Sequence, residues 1–369
     1  MTQTAIPCVA MRGGTSKGLF FHRKHLPDDA AIRDRVLLAA LGSPDPRQID
    51  GMGGAHPLTS KVAVIGPSTR GDAEVDYLFL QVVVDAAEVR DSQNCGNILA
   101  GVGPFAIEQG LVAASRGETE VRIHMVNSGS VAVAHVCTPD GEVAYEGSAR
   151  IDGVPGTAAP VMLDFEGIAG ANCGALLPTG AATDMEQGIE VTCIDNGMPV
   201  VIMRAADLGK SGTETPQQLE ADEALTRKVE YIRLALGRRM NLGDVAGKTV
   251  PKMCLVAEAA NGGAIATRTF IPHHVHDSIG VLGAASVAAA CLIPGSVAQR
   301  VAGITATSGS HLLNVEHPTG FLTVAMDVQV NGSIGGAGVQ ILRSGLLRTA
   351  RKLMQGEIFV PRSIWSGRR

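Results

Sequence analysis

The chain has 369 residues, which is long enough for two domains that each bury a core. Only 18% of the residues are charged and 3% are aromatic, whereas 45% are hydrophobic and 45 residues are glycine. This composition excludes a disordered chain and indicates a turn-rich β protein whose helices contain many small residues. The formal net charge of −5 and the pI near 6.1 argue against a general nucleic-acid binder.

The sequence has no pattern typical of a signal peptide or a membrane helix. The longest nearly apolar run, residues 279–293, is shorter than the roughly 20 residues that a membrane-spanning helix needs. We therefore expect a cytoplasmic protein with neither a membrane nor a nucleic acid as partner. Seven cysteines without C-x-x-C spacing predict neither a disulfide framework nor a zinc site, and we expect no metal.

The first predicted strand leads into AMRGGTSKGLFF, residues 10–21, where two glycines follow Arg12 and precede Thr15, Ser16 and Lys17. Glycines let the backbone approach a ligand, and hydroxyls, amides and cations suit a carboxylate or a phosphate. The spacing of a Walker A loop is absent. The alternative interpretation is an ordinary glycine turn with solvated charges.

Residues 27–42, PDDAAIRDRVLLAALG, predict an amphipathic helix that begins at an aspartate and ends at a glycine. Its apolar face consists of Ile32, Val36, Leu37 and Leu41. Four segments predict strands by their alternating or continuous apolar pattern and their β-branched residues. These strands are residues 74–85, 119–127, 197–205 and 320–328.

The stretch IDGMGGAHPLTSKVAVIG, residues 49–66, places Ser60 and Lys61 between a glycine-rich turn and an apolar strand. A lysine at the start of such a strand is partly desolvated, which would make it a useful general base. The alternative is a lysine at a strand end whose amine reaches water.

The stretch NCGN comprises Asn94, Cys95, Gly96 and Asn97, at the predicted start of an apolar helix. Free N–H groups at a helix start favour negative charge, so a thiolate is stabilised there and can exchange protons with a substrate. The asparagines can cap the helix or bind a carboxylate. The alternative is that Cys95 is simply a small packing residue.

Two helices are predicted to be apolar on all sides, at residues 97–110 and 277–291. A helix without a polar face is buried all round, so each would lie inside a wrap of strands, one in each half of the chain. A third helix, residues 216–237, is charged and amphipathic and is expected at the surface. The best linker candidates are residues 153–180 and 178–188.

The second half of the chain contains weaker candidates for site residues. PHHVHDSIG includes His273, His274 and His276, which are poorly spaced as zinc ligands and can equally contact substrate or form a surface loop. NVEHPTGFLTV places His317 in a turn of the same type as GAHPLTS. We count His317 among the candidate substrate-binding residues.

Three motifs in one order, RGGTSKG (12–18), LTSK (58–61) and NCGN (94–97), resemble those of the PrpF-type isomerases. This family includes methylaconitate isomerase and 4-oxalomesaconate tautomerase. HHVHDSIGVLGAASVAAACLIPG lies downstream of the motifs, and the resemblance covers essentially the whole chain. Within the family, the stretches around LTSK and NCGN are most like those of the 4-oxalomesaconate tautomerases of gallate breakdown.

The resemblance implies an α+β, diaminopimelate-epimerase-like fold of two similar domains, each with strands around a central helix and with the site in the cleft between them. We place these domains at residues 1–185, joined by the tail 350–369, and at residues 186–349. In the epimerases a cysteine begins each central helix; Cys95 matches the first, whereas the second position falls near Gly280. Two-cysteine epimerisation is therefore disfavoured.

The resemblance also implies a keto-enol tautomerisation of 4-oxalomesaconate without a cofactor. Lys61 would be the base and Cys95 a second acid/base group or an orienting group. The residues assigned to substrate binding are Arg12, Thr15, Ser16, Lys17, Ser60, Asn94, Gly96, Asn97 and His317. The alternatives are an allylic isomerase of a related tricarboxylate, such as methylaconitate, an amino-acid racemase and a non-catalytic carboxylate-binding protein. The apolar composition leaves room for a homodimer.

Overall fold

The structure is a computed structural model that describes residues 2–91, 94–165, 167–271, 274–330 and 338–367. Its chain divides into two compact units, the first comprising Met1–Asp164 with Arg348–Arg369 and the second Phe165–Leu347. The domains predicted from the sequence, residues 1–185 with 350–369 and residues 186–349, have other limits than these units and remain a prediction. No helix in the described residues is long and apolar enough to cross a membrane.

In its described residues, the first unit contains a mixed sheet, three α-helices and the last part of a long C-terminal strand. Its strands are β1 (Gln3–Gly13), β2 (Ser16–His22), β3 (Lys61–Pro67), β4 (Val75–Val82), β5 (Val89–Arg90), β6 (Gly117–Met125), β7 (Ser130–Thr138) and β8 (Pro160–Phe165), which ends at the unit boundary. Its helices are α1 (Ala30–Leu41), α2 (Gly96–Leu99) and α3 (Val102–Glu108).

The second unit repeats this arrangement of strands and adds an amphipathic helix. Its strands are β9 (Asp184–Glu186), β10 (Ile189–Asp195), β11 (Pro199–Arg204), β12 (Lys252–Ala257), β13 (Ile265–Ile271), β14 (His274–Val275), β15 (Gly309–His317), β16 (Gly320–Val330) and β17 (Val339–Pro361), whose part from Arg348 onward belongs to the first unit. Its helices are α4 (Pro216–Glu220), α5 (Glu223–Arg239), α6 (Val281–Leu292) and α7 (Val297–Ala302).

The strand pairings of the two units follow one pattern. In the first unit β1 pairs with β2, β2 with β3, β3 with β4, β4 with β6 and β6 with β7. The second unit pairs β10, β11, β12, β13, β15 and β16 in the same succession. The second and fourth pairings are parallel in both units and the others are antiparallel. The internal repeat, which is weak in the sequence, is therefore evident in the topology.

The helix predicted for residues 27–42 is confirmed as α1. The Asp29 side chain accepts a hydrogen bond from the Ile32 N–H at 2.8 Å, which caps the N-terminus. Gly42 ends the helix in the left-handed conformation, with φ of 78°. Of the predicted apolar face, Val36, Leu37 and Leu41 pack with residues of β1 to β4 in one core, whereas Ile32 is half-buried and lies outside that core.

The single helix predicted for residues 97–110 is instead two short helices, α2 and α3. In one continuous helix Pro104 would clash with the carbonyl of Ala100 and would leave that carbonyl without an N–H donor. A new helix therefore begins after its N-cap Gly101. Pro104 then lies in the first turn of α3, where its missing N–H leaves no hydrogen bond unmade. The predicted burial is confirmed for the first five residues of α3.

The helix predicted for residues 216–237 is likewise two helices. α4 ends at Glu220, and the Asp222 side chain accepts a hydrogen bond from the Leu225 N–H at 2.9 Å, which begins α5 with a new cap. One face of α5 packs into a core with β10, β11 and β12, and its charged face is exposed.

The helix predicted for residues 277–291 begins later, at Val281, because Gly280 is its extended N-cap. Every residue of α6 except Leu282 is buried, which confirms the predicted burial on all sides. The helix contacts β10, β11, β15 and β16 of its own unit. The four predicted strands are also confirmed, as β4, β6, β11 and β16.

Candidate active site

The turn between β1 and β2 packs directly against the start of α2. A Cβ atom on Gly13 would lie 2.4 Å from the carbonyl oxygen of Asn97, which is far inside van der Waals contact. A Cβ atom on Gly14, whose φ is +51°, would lie 2.1 Å from the Asn97 side-chain oxygen. The paired glycines thus allow the RGGTSKG and NCGN motifs to touch.

The same hairpin approaches Lys61 from its other end. Gly18 lies opposite Lys61 in the parallel pairing of β2 with β3, and a Cβ atom on Gly18 would lie 2.2 Å from the Lys61 carbonyl oxygen. The hairpin that carries RGGTSKG therefore contacts both of the other motifs, LTSK and NCGN, although the three are far apart in the sequence.

Lys61 is the first residue of β3 and is only 6% exposed, which favours the predicted desolvation over the alternative of a lysine extended into water. Its amine Nζ lies 2.6 Å from the Gln81 side-chain oxygen and 5.1 Å from the centre of the Phe79 ring. The described ion pairs include none on Lys61. The described hydrogen-bond partner of the amine is therefore a neutral amide.

Gln81 is held in an orientation that directs its oxygen to Lys61. Its amide nitrogen donates to the carbonyl oxygens of Pro57 and Ser60, both at 3.1 Å. Since carbonyl groups only accept hydrogen bonds, these contacts identify the nitrogen end of the amide. The turn preceding β3 therefore fixes the partner of the lysine amine.

Cys95 is the N-cap residue of α2 and a free, half-buried cysteine. The Tyr77 hydroxyl donates to its backbone carbonyl at 3.2 Å, and the Leu99 N–H donates to the same oxygen at 3.0 Å. Burial raises the pKa of Tyr77 well above its ordinary value, with a smaller contribution from the negative charge of a Cys95 thiolate. Tyr77 thus remains a neutral donor that holds the cysteine backbone in place.

Cys95 and Gly280 occupy equivalent places in the two units. Each is the extended N-cap of the first helix after a short strand, β5 in the first unit and β14 in the second. The second unit has glycine where the first has cysteine, as expected from the sequence.

Arg348, at the point where β17 enters the first unit, is a buried cation of that unit. The residue is 6% exposed, and burial lowers the pKa of the guanidinium to about 10. The charge of Cys95 acts on that pKa in the opposite direction, so the two groups interact electrostatically.

The other polar residues of the NCGN and RGGTSKG motifs line the same turn. Asn97 donates from its side-chain nitrogen to the Thr15 hydroxyl at 3.1 Å, and Gly96 is the first residue of α2. Within the described residues, the buried Ser16 Oγ and Asn94 Oδ1 atoms have no hydrogen-bond partner. Buried polar atoms without partners are costly, so these two atoms are candidates for contacts with a ligand.

Arg12 is engaged with its own chain. Its Nη1 atom donates to the Gly14 carbonyl at 2.8 Å and lies 3.0 Å from both the carbonyl and the hydroxyl oxygen of Thr349. Burial lowers the pKa of Arg12, and the nearby Arg351 lowers it further. Lys17 lies opposite Arg12 in the β1–β2 pairing and is half-buried. Arg12, which was predicted to bind a carboxylate, therefore helps to hold the turn between β1 and β2.

Ser60 is fully buried, and its hydroxyl lies 2.7 Å from the Gln48 side-chain oxygen and 2.9 Å from the His56 carbonyl. These contacts hold the turn that precedes Lys61. Contact of Ser60 with a substrate remains a prediction.

His317 lies in the second unit, at the end of β15, and is 9% exposed. Its Nδ1 atom accepts a hydrogen bond from the Thr319 N–H at 3.3 Å, and its Nε2 atom lies 3.1 Å from the Ser278 hydroxyl. An accepting Nδ1 leaves the proton of a neutral ring on Nε2, which then donates to Ser278.

The three histidines of the 272–280 segment do not form a described cluster. His274 is exposed, with its Nδ1 atom 3.5 Å from Glu220, whereas the Nδ1 atom of His276 accepts from the Ser278 N–H at 2.9 Å. His273 lies outside the described residues.

Three residues near the motifs were not identified from the sequence: Tyr77, Gln81 and Arg348. Tyr77 and Gln81 carry polar groups within the mostly apolar run VDYLFLQV of β4, which was the available signal. Arg348 is one of several arginines in β17, and only the fold distinguishes it as buried.

Comparison with known proteins identifies the family. The model of the PrpF protein family matches residues 3–361. The chain belongs to the PrpF family. It is 59% identical to a 4-oxalomesaconate tautomerase from Pseudomonas putida over 369 residues, covering 100% of this chain and 99% of that protein. It is also 59% identical to a (4E)-oxalomesaconate Delta-isomerase from a Novosphingobium species, covering 96% and 97% of the two chains. Like these PrpF relatives, the chain is an isomerase.

Solved structures agree with this assignment. A methylitaconate-delta-isomerase structure is 35% identical and superimposes with a TM-score of 0.85, covering 99% of this chain and 97% of that chain. A hydroxyproline epimerase from Agrobacterium vitis is 14% identical, with a TM-score of 0.53 and coverage of 97% and 93%. The epimerase-like fold class expected for this PrpF family member is therefore confirmed.

Proposed function

We propose that the chain isomerises 4-oxalomesaconate by moving a proton from carbon to oxygen, a keto-enol tautomerisation. The observation on which this proposal depends is the buried Lys61 amine, held by the neutral Gln81 amide and packed against the hairpin that also contacts the Cys95 segment. The identity of 59% to a tautomerase of that substrate over the whole chain supplies the substrate.

The keto substrate has three carboxylates and a CH2 group between a ketone and an alkene. Neutral Lys61 would remove one CH2 proton, and the electron pair of the broken C–H bond would delocalise into a dienolate. Protonation of the dienolate oxygen by a second group would give the enol, and a proton passing from the Lys61 ammonium to that group, directly or through solvent, would restore both for the next turnover. We assign Cys95 as that second acid/base group or as a group that orients the substrate.

The carboxylates of the substrate would be bound by donors around the hairpin. We retain the predicted substrate-binding residues Arg12, Thr15, Ser16, Lys17, Ser60, Asn94, Gly96, Asn97 and His317 as proposals. Among them, Ser16 and Asn94 have the strongest support, because each has a buried polar atom without a partner among the described residues.

We also propose that α6, and α2 together with α3, are the central helices of diaminopimelate-epimerase-like units. The burial of α6 on nearly all sides and its contacts with four strands support this assignment in the second unit. The cytoplasmic location, the homodimer and a role in gallate breakdown remain predictions.

An allylic isomerisation of the same substrate class is the second candidate. The equal identity of 59% to an oxalomesaconate Delta-isomerase supports it. Both reactions begin with the same proton abstraction and differ only in the atom that is reprotonated, so the same lysine would serve either.

Proton NMR in D2O with keto 4-oxalomesaconate separates these candidates. Tautomerisation predicts fast CH2 exchange with formation of the enol, whereas deuterium at a new carbon position would identify the allylic isomerase. Lys61→Met should lose at least about 100-fold in rate, since general-base catalysis contributes roughly 10²–10⁴-fold. Lys24→Met, at an exposed lysine of the same unit, is the matched control. Near-normal turnover by Lys61→Met would show that the base is wrongly assigned.

A further inference from the structure

Gln48 is a buried polar residue to which the proposed mechanism assigns no role. It lies in the loop between α1 and β3, is 1% exposed and has a backbone φ of +46°, which residues other than glycine seldom adopt. Its backbone N–H donates to the Asp45 carbonyl at 2.8 Å. A backbone conformation of this kind persists only where the surrounding contacts stabilise it.

The side-chain amide of Gln48 makes three hydrogen bonds within the loop. Its oxygen Oε1 accepts from the Ala55 N–H at 2.8 Å and lies 2.7 Å from the Ser60 hydroxyl, whereas its nitrogen Nε2 donates to the Ser43 hydroxyl at 3.0 Å. Because a backbone N–H can only donate, the contact with Ala55 identifies the oxygen end of the amide. Gly53 packs against the same group, since a Cβ atom there would lie 2.1 Å from Oε1. Gln48 thus joins the beginning of the loop to its end.

The end of this loop, the turn at residues 55–60, holds Gln81 beside the Lys61 amine. The carbonyls of Pro57 and Ser60 both accept from Gln81 Nε2 at 3.1 Å. These contacts direct the Gln81 oxygen to the amine Nζ of Lys61, at 2.6 Å. Ser60 therefore belongs to both parts of the connection, because its hydroxyl contacts Gln48 and its carbonyl contacts Gln81.

The pairing of β3 with β4 does not by itself orient the Gln81 amide. Lys61 lies opposite Gln81 in this antiparallel pairing, so the two side chains project from the same face of the sheet. An amide at that position can present either its oxygen or its nitrogen to the amine, and only the oxygen accepts a hydrogen bond from it. The carbonyls of the turn decide between these two orientations.

We infer that Gln48 is a positioning residue for the Lys61 amine and acts through the turn at residues 55–60 and through Gln81. The inference rests on the proposed function in taking Lys61 as the base. Without the Gln48 amide the turn loses two of the contacts that hold it, and the Gln81 amide is no longer fixed in one orientation. The amine then lacks a fixed acceptor, and a displacement of about 1 Å at a reacting group costs about 100-fold in rate.

The test uses Gln48→Met, which keeps the length of the side chain but removes its three hydrogen bonds. We expect kcat for 4-oxalomesaconate to fall about 10- to 100-fold, with KM changed less than about threefold. In a Gln81→Met background the same substitution should change kcat less than about twofold, because the residue through which it acts is already absent. An equal loss of kcat in both backgrounds would show that Gln48 only stabilises the fold, and would overturn the inference.

Thr119→Val is the matched control, at a buried residue of β6 whose hydroxyl lies 2.7 Å from that of Thr138. It also removes buried hydrogen bonds from the first unit, but these join β6 to β7 and to Ser115. Urea unfolding measures the destabilisation of both variants. Thr119→Val should change kcat less than about twofold in either background. A loss of kcat in Thr119→Val as large as in Gln48→Met would overturn the inference.

The side-chain amide of Gln81 provides a readout that does not depend on turnover. In protein containing ¹⁵N-labelled glutamine, the Nε2 protons of Gln81 are assigned by their loss in Gln81→Met. Because two carbonyls accept from this nitrogen, solvent exchange of its protons should be at least about fivefold faster in Gln48→Met and unchanged in Thr119→Val.

The two readouts separate failure of the inference from failure of the proposed function. If wild-type protein does not turn over 4-oxalomesaconate but the amide exchange responds as expected, the proposed function fails while the connection from Gln48 to Gln81 stands. Equal exchange in wild type and Gln48→Met overturns the inference, whatever the turnover.

If Gln48→Met does not fold, as judged by circular dichroism, Ser43→Ala decides the question, because it removes only the acceptor of the Gln48 amide nitrogen. A loss of kcat of about threefold or more that is absent from the Gln81→Met background supports the inference. Unchanged kcat, or an equal loss in both backgrounds, overturns it.

Discussion

The candidate site residues of the first unit are held in position by hydrogen bonds to neutral groups as well as by electrostatic interactions. Lys61 is buried against an amide oxygen, Cys95 is held through its backbone by Tyr77, and Arg348 is a buried cation of the same unit. Lys61 and Cys95 could be predicted from their motifs. Gln81, Tyr77 and Arg348 could not, because only strand pairing places them beside residues distant in the sequence.

Replacing Gln81 by glutamate tests the neutral environment of Lys61. A carboxylate about 2.6 Å from the amine would favour its ammonium form, which cannot accept a proton. We expect kcat to fall about 10- to 100-fold at pH 7 and to recover as the pH is raised. Gln355→Glu, at an exposed position of β17, is the control and should retain wild-type kcat. Unchanged kcat in Gln81→Glu across the pH range would mean that Lys61 is not the base.

At the scale of elements, the local sequence determines helix limits only where caps and prolines act within a few residues. The Asp29 cap and the Gly42 stop of α1 were predictable for this reason. The division of residues 97–110 into α2 and α3 follows from Pro104, and that of residues 216–237 follows from Asp222. Their apolar and amphipathic patterns continue across both breaks, so periodicity alone predicted one helix in each place.

Because the β1–β2 turn packs closely against α2, adding one methyl group at Gly13 should reduce both stability and activity. In Gly13→Ala the new Cβ atom would lie 2.4 Å from a backbone oxygen, which the helix start can relieve only by moving. We expect a destabilisation of about 1–3 kcal/mol and at least a tenfold loss of kcat/KM. Gly71→Ala is the matched control, because nothing lies within 4 Å of its Cβ position. Denaturant unfolding and steady-state kinetics measure both effects, and equal behaviour of the two variants would contradict the packing described.

Across the whole molecule, the two units have the same order of strand pairings but differ in their helices. Both place an N-cap residue, Cys95 or Gly280, after a short strand at the same topological position. The first unit combines that position with a buried lysine beside an amide and with a buried arginine. The chemistry proposed for the cysteine position thus belongs to the first unit, although both units share the topology.

The pH dependence of global stability should reflect His22. Burial, followed by the charges of Lys24, His25 and Arg23, lowers the pKa of His22 from 6.5 to about 4. Below pH 6.5 the unfolded chain binds a proton at this site that the folded protein does not, so stability falls as the pH decreases from about 6.5 to 4.

His22→Asn removes that proton while keeping a side chain that can cap the following turn, where His22 accepts from the Lys24 N–H. Its unfolding free energy should fall less steeply than that of wild type between pH 6.5 and 4.5. The two slopes should differ by at most about 1.4 kcal/mol per pH unit, which corresponds to the uptake of one proton on unfolding. Urea unfolding at several pH values measures the difference, with His25→Asn as the comparison. Parallel profiles of His22→Asn and wild type would show that His22 titrates normally in the folded protein.

The sequence alone was sufficient for several strands, including β4, β6, β11 and β16, for the capped helix α1, for the burial of α6 and for the three motifs that identify the family, because each depends on residues close together in the chain. It did not reveal that Arg12 holds a turn, that Gln81 holds the lysine, or that Arg348 is a buried cation. These features depend on pairings between strands separated by tens to hundreds of residues. Burial and hydrogen bonding across such pairings arise only when the sheet is formed, and they determine which of several similar side chains can act on a substrate.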